Sequence, residues 1–149
     1  MSVIVALSSD LPVAPPLLDE VAVEQARLVR LARDHIASTE PSVDYEGLAR
    51  GRDSSVLAAR QWVKRHRDRR RIFVVDHGGT TLVPTFLLDE VFDADERLAE
   101  TVRRLTAAGM SGWAQWQWFT AHNPWIDARP VDVIGTDDLT KAVDGLLDA

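Results

Sequence analysis

Cysteine is absent from the 149 residues, which removes disulfides, thiolate metal sites and cysteine nucleophiles together. No apolar run approaches the ~20 residues that a membrane-spanning helix needs. The opening Met1-Ser-Val-Ile-Val-Ala-Leu7 has no basic residue ahead of its short apolar stretch, unlike a secretory leader. A soluble, cytoplasmic protein without a membrane partner is therefore expected. Histidine is sparse: His35, His66, His77 and His122 are scattered, with no second His or carboxylate at metal-ligand spacing on one helix. There is no GxxxxGK[ST], no GxGxxG opening a helix and no nucleophile elbow. His77, next to Gly78-Gly79, reads as part of a polar hairpin turn rather than of a catalytic loop. The expectation is no enzyme, no catalytic residue, no metal and no cofactor.

What is present is unevenly distributed. Between Arg50 and Arg71 stand nine Arg or Lys against two Asp (Asp53 and Asp68), a local charge of +7. The whole chain carries −6, so the remainder carries −13. A basic block in an acidic chain suits a polyanion on one face and a cationic partner on another, although a merely solvated helix face has the same composition.

The order of elements follows from period and punctuation. Pro12, Pro15 and Pro16 predict an extended arm over residues 1–16. Residues at Leu18, Val21, Ala22, Gln25/Ala26, Val29, Ala32 and Ile36 follow helical spacing and predict a helix from Leu17 to about Ser38. Asp44–Arg50 suits a short helix and Gly51-Arg52-Asp53 a turn. Asp53 would then cap a helix from Ser54 to about His66, with Val56, Ala59, Trp62 and Val63 on one side and Arg60, Lys64 and Arg67 on another. Arg71–Val75 and Thr80–Val83 flank Asp76-His-Gly-Gly79, a hairpin over residues 71–83 whose second strand should end by Pro84. Asp93 and Glu96 have capping-box spacing. Leu98, Val102 and Leu105 form the buried stripe of the next helix, and Gly109 ends it. Ser111 caps a tryptophan-rich helix that stops near Asn123-Pro124, Pro130 begins a short turn, and Thr136 caps a last helix.

Helix, glycine-containing turn, helix, hairpin is the order of a winged helix-turn-helix. On that reading Arg52, Ser54, Ser55, Arg60, Lys64 and Arg67 are the candidate DNA-binding residues: serines near a helix N-terminus that enters a groove, cations for phosphates. The residue count suits one domain or two small ones sharing a core. The divisions are an arm over 1–16, a helix-turn-helix-like region over 17–92 and a C-terminal helical region over 93–149. The fold class is mainly α, of α+β type.

Four of the five tryptophans fall between Trp113 and Trp125. Trp113, Trp116 and Phe119 share a helical face and suit a core, whereas Trp118 is out of phase and Trp125 lies beyond a proline. Either of the last two would be a candidate contact residue if exposed, but core packing for all of them is the expectation.

The run Trp118-Phe-Thr-Ala-His-Asn123-Pro124-Trp-Ile-Asp-Ala-Arg129-Pro130-Val-Asp132-Val-Ile134, followed by a short acidic-capped helix, resembles the toxin-binding domain of Xre/MbcA/ParS-type antitoxins. Ala128 stands where that family has Gly, so a reshaped turn is expected there. The resemblance implies a non-enzymatic protein that binds and neutralises a cognate RES-type, NAD-degrading toxin through Asn123, Trp125, Arg129 and Pro130. It also implies a homodimer or a hetero-oligomer with the toxin, and autoregulation through DNA. The alternative is a free-standing DNA-binding transcriptional regulator with a dimerising C-terminal domain.

Overall fold

The computed structural model describes residues 14–148 of the chain. The chain forms two compact units, Met1–His35 and Ile36–Ala149. Helix α1 (Ala14–Thr39) runs through the boundary. It begins earlier than the sequence predicts, with Pro15 and Pro16 in its first turn. Proline is tolerated there because first-turn N–H groups have no partner within a helix. Residues 1–13, the rest of the expected arm, lie outside the described residues.

In the second unit β1 (Ser42–Val43) leads directly into α2 (Tyr45–Arg52), whose N-cap is Asp44, its carboxylate accepting from the Gly47 N–H at 2.8 Å. Asp53 does not cap the following helix as expected. It ends α2 in a left-handed conformation, φ 55°, which Asp tolerates better than most residues. The cap of α3 (Val56–Asp68) is Ser55, whose Oγ accepts from the Ala58 N–H at 3.1 Å. The helix is held from one side by Ala59, Trp62 and Val63, all buried.

The hairpin is shorter than the 71–83 expected. Arg71–Val74 are irregular, with Ile72 and Phe73 buried, and the strands are β2 (Val75–His77) and β3 (Thr80–Pro84). Gly78 and Gly79, φ 59° and 82°, form the two-residue turn between the paired His77 and Thr80; such positive φ values match the twist of tight hairpins. β1, a strand not anticipated, pairs antiparallel with the other edge of β3, giving the order β1-β3-β2. β3 ends at Pro84, as its missing N–H predicts.

The Asp93–Glu96 capping box does not open the next helix. Asp95 does, accepting from the Arg97 N–H at 3.0 Å above a 3₁₀ turn (Glu96–Leu98) that continues into α4 (Ala99–Ala107). Gly109, φ 90°, follows α4 as expected. Ser111 caps α5 (Gly112–Thr120), which ends before the predicted Asn123-Pro124. Pro130 opens a 3₁₀ turn to Val133, and α6 (Asp137–Leu147) closes the fold. Both halves of the sequence feed one core: Trp62, Val63, Phe73 and Val83 with Leu98, Val102, Leu105, Trp116, Phe119, Leu139 and Val143. Phe119 joins them, its ring 6.2 Å from Phe73 and 4.8 Å from Phe86. The fold is mainly α, with one small antiparallel sheet.

Candidate nucleic-acid interface

The side of α3 opposite Ala59, Trp62 and Val63 carries Leu57, Gln61, Lys64 and Asp68, at spacings of four, three and four residues that align along one helical face. All four are exposed, Leu57 at 64%. Arg60 and Arg67 border this face on one flank and Arg65 on the other. The Arg60 flank meets the hairpin: an open groove is lined by Asp44, Tyr45 and Glu46 at the start of α2, Val56 and Arg60 of α3, and Gly79, Thr80 and Thr81 of the turn and β3, so its α2 wall is acidic. α3 and the hairpin tip thus border one continuous concave surface. Arg60 lies over the Tyr45 ring, its guanidinium carbon 4.8 Å from the centroid, which fixes the side chain beside the groove.

The six DNA-binding candidates take different places. Arg60, Lys64 and Arg67 are exposed on or beside the outward face. Lys64 donates to Asp68 at 2.8 Å across one turn. That hydrogen bond, with Arg67 nearby, holds the Asp68 carboxyl below its usual range. The pair is solvent-exposed and correspondingly weak, so the ammonium can exchange it for a phosphate. Arg52 faces elsewhere: it donates to the Phe92 carbonyl at 2.7 Å, approaches Asp93 at 3.7 Å and lies 4.6 Å over the Trp62 ring. Its guanidinium ties α2 to the loop that precedes α4. Ser55 is occupied as the cap of α3, while the Ser54 hydroxyl donates to the Ser55 carbonyl at 3.1 Å. Ser54 also lines a second open groove with Arg50 and Asp53, at the junction of α2 and α3.

Arg50, Arg65, Arg69 and Arg70 add exposed positive charge without an ion-pair partner among the described residues. The hairpin tip itself carries no Lys or Arg. Leu57, Gln61 and the hairpin tip border the same surface without being among the six candidates read from the sequence. Leu57 and Gln61 were within reach of it, since the spacing that buries Ala59 and Val63 turns them outward.

From β1 to β3 the described order is strand, helix, helix, strand, strand, with α1 ahead of it and β3 between its two neighbours. This is winged-helix connectivity. The chain is similar in fold to Rv2175c. Its NMR structure superposes with a TM-score of 0.58 over 72% of this chain and 79% of that one, at 17% sequence identity. No protein-family profile matches the chain, and no curated protein matches it.

The four residues matched to the toxin-binding motif also separate. Asn123 is buried and organises the loop: its N–H donates to the Ala128 carbonyl at 2.8 Å and its Oδ1 accepts from the Trp125 N–H at 2.9 Å. The left-handed residue of this turn is Asp127, φ 50°, rather than Ala128. Arg129 donates to Asp132 at 3.1 Å and to Glu40 at 3.2 Å. Pro130 is buried. Trp125 alone is largely open, at 53% exposure.

Proposed function

We propose that this chain binds duplex DNA, with α3 in the major groove and the Gly78-Gly79 hairpin alongside it. The observation that carries this reading is the exposed Leu57–Gln61–Lys64 face of α3, bordered by Arg60 and by the hairpin tip. A helix fits the width of the major groove, where an amide such as Gln61 can pair with adenine and an apolar side chain such as Leu57 can meet a thymine methyl. Arg60, Lys64 and Arg67, with Arg65 beyond, supply phosphate contacts that position the helix without reading sequence. The −13 outside residues 50–71 would orient that face toward the polyanion.

The test is a fluorescence-anisotropy titration of duplexes selected from a random-sequence pool, repeated over a salt series. Each phosphate contact contributes a slope of about −0.9 to log K against log salt. Arg60→Ala and Lys64→Ala should each weaken binding and flatten the slope by about one contact, whereas Gln61→Ala should change the preferred sequence and leave the slope in place. No duplex binding at low salt, or binding indifferent to Arg60 and Lys64, overturns the reading.

One observation favours a second, antitoxin-like reading: the outward Trp125 on a loop ordered by Asn123. Such a residue is suited to anchoring a protein partner, as the resemblance to RES-toxin antitoxins implies. The two readings use different surfaces and can hold together.

A further inference from the structure

The charge beside α3 is polarised along the helix. Lys64, Arg65, Arg67, Arg69 and Arg70 stand in its second half and just beyond. The grooves at its first half have a different character. One, at the junction of α2 and α3, is lined by Arg50 and Asp53; the other, between α3 and the hairpin, by Asp44, Tyr45 and Arg60. Glu46 and Val56 wall both, so Glu46 stands where the two grooves meet. Together the grooves are lined by three carboxylates, Asp44, Glu46 and Asp53, against two guanidinium groups. A surface built only to attract phosphate would not carry that balance.

The three carboxylates are not equivalent. Asp44 is occupied as the N-cap of α2, accepting from the Gly47 N–H at 2.8 Å. Asp53 is the left-handed residue that ends α2. Glu46 is exposed, and its carboxylate has no hydrogen bond or ion pair among the described residues. Arg50 follows it at the i+4 spacing that favours such a pair, yet none forms. A first-turn Glu favours the helix dipole, which gives Glu46 a local role in stability. The same unpaired charge also meets whatever enters either groove.

With α3 in the major groove and the hairpin alongside, one phosphate backbone passes over the groove between them. Arg60, held 4.8 Å over the Tyr45 ring, offers a phosphate one fixed place there. Glu46 on the opposite wall repels a phosphate placed against it. A duplex whose bases suit Leu57 and Gln61 holds the helix in one register, with the phosphate at Arg60. A duplex bound through its backbone alone slides through many registers, and some of them set a phosphate against Glu46.

We propose that Glu46 is a specificity-determining residue, an unpaired carboxylate that disfavours every register except the one that brings a phosphate to Arg60. The proposal rests on the DNA-binding reading. Discrimination arises here by penalising the wrong complex rather than by adding a contact to the right one.

The test is a pair of anisotropy titrations on the full chain, one with the selected duplex and one with a scrambled duplex of the same length. Asp138→Asn is the control. Asp138 is exposed in the first turn of α6, outside both grooves, so its loss removes the same charge from the same kind of helix position. Glu46→Gln should tighten the scrambled duplex by about fivefold, the scale of one like-charge repulsion near a protein surface, and the selected duplex by less than about twofold. The ratio of the two affinities therefore falls. Asp138→Asn should leave the ratio in place, and Glu46→Asp, which keeps the charge, should hold it near the wild-type value. A role in helix stability alone would not move the ratio. Equal ratios for Glu46→Gln and Asp138→Asn, or a fall that comes from weaker binding of the selected duplex, would overturn the proposal and leave the DNA-binding reading standing. Failure of the wild type to bind either duplex would overturn both.

Discussion

At the scale of single residues, Asp95 shows how a carboxylate opens a helix and ties it down. It is 7% exposed, accepts from the Arg97 N–H at 3.0 Å and takes the Arg97 guanidinium at 3.1 and 2.8 Å. Those hydrogen bonds from Arg97 outweigh burial and hold its carboxyl below the usual aspartate value. A carboxylate whose value is lowered by folding stabilises the fold fully above its unfolded pKa, about 4. It loses that contribution as the pH falls through the lower folded value. Asp95→Ala should therefore cost about 1–2 kcal/mol at neutral pH, as loss of an N-cap does, and should flatten the acid limb of stability against pH. Urea unfolding at pH 7 and near pH 3 measures both; an unchanged acid limb would show that Asp95 is not the responsible group. Sequence spacing pointed to Asp93 instead, because Asp93 and Glu96 satisfy the capping-box pattern. The pattern cannot register that Leu98 must turn inward, which sets where the helix begins.

At the scale of elements, starts and stops were more legible than neighbours. Ser111, Gly109 and Pro130 act locally and act where the sequence places them, because a cap or a terminator needs only its own turn. Gly112 has a role that no local pattern reveals. A Cβ there would lie 2.0 Å from the Val74 carbonyl oxygen, so α5 touches the backbone just ahead of β2 at this point. Val74 is far away along the chain, and nothing in the residues around Gly112 announces the contact. Gly112→Ala should separate α5 from the hairpin support and destabilise by about 3 kcal/mol, the upper range for overpacking. Gly109→Ala meets no atom within 4 Å and should cost only the left-handed strain, about 1–2 kcal/mol. Thermal unfolding of the two variants should rank them in that order, and the reverse order would mean that the α5 contact yields easily. β1 escaped the sequence reading for a related reason. Two residues, Ser42 and Val43, have no period of their own and become a strand only where β3 offers an unpaired edge.

At the scale of the whole molecule, the division expected at residues 92 and 93 is not a division of the core. Phe73 stacks on Phe119 and Phe86 packs tilted against both across it, a long-range packing that hydrophobic period alone cannot show. Against that shared core, Trp125 is unusual in facing outward. Gly145 of α6 leaves room for it: a Cβ there would come within 2.6 Å of the indole, so the ring rests on the α6 backbone with its outer face open. This separates structural from recognition roles within the four residues matched to the toxin-binding motif. Arg129 joins Glu40 to Asp132 within the fold, so Arg129→Ala should lower stability along with any binding. Trp125→Ala removes a half-exposed ring that rests on α6 and should lower stability by about 2 kcal/mol while leaving the fold intact. If the second reading holds, the same change should weaken a complex with the product of the neighbouring gene by about 2 kcal/mol or more, some 30-fold in Kd, as expected for an anchoring tryptophan. Co-expression, scored by growth rescue and by co-purification on a tag, provides the complex, and calorimetry of wild type and Trp125→Ala measures the difference. The duplex affinity of Trp125→Ala should stay at the wild-type level, because the DNA reading assigns that contact to α3. Absence of both toxicity and complex, or a complex indifferent to Trp125, would remove the antitoxin-like reading and leave the α3 surface as the functional one.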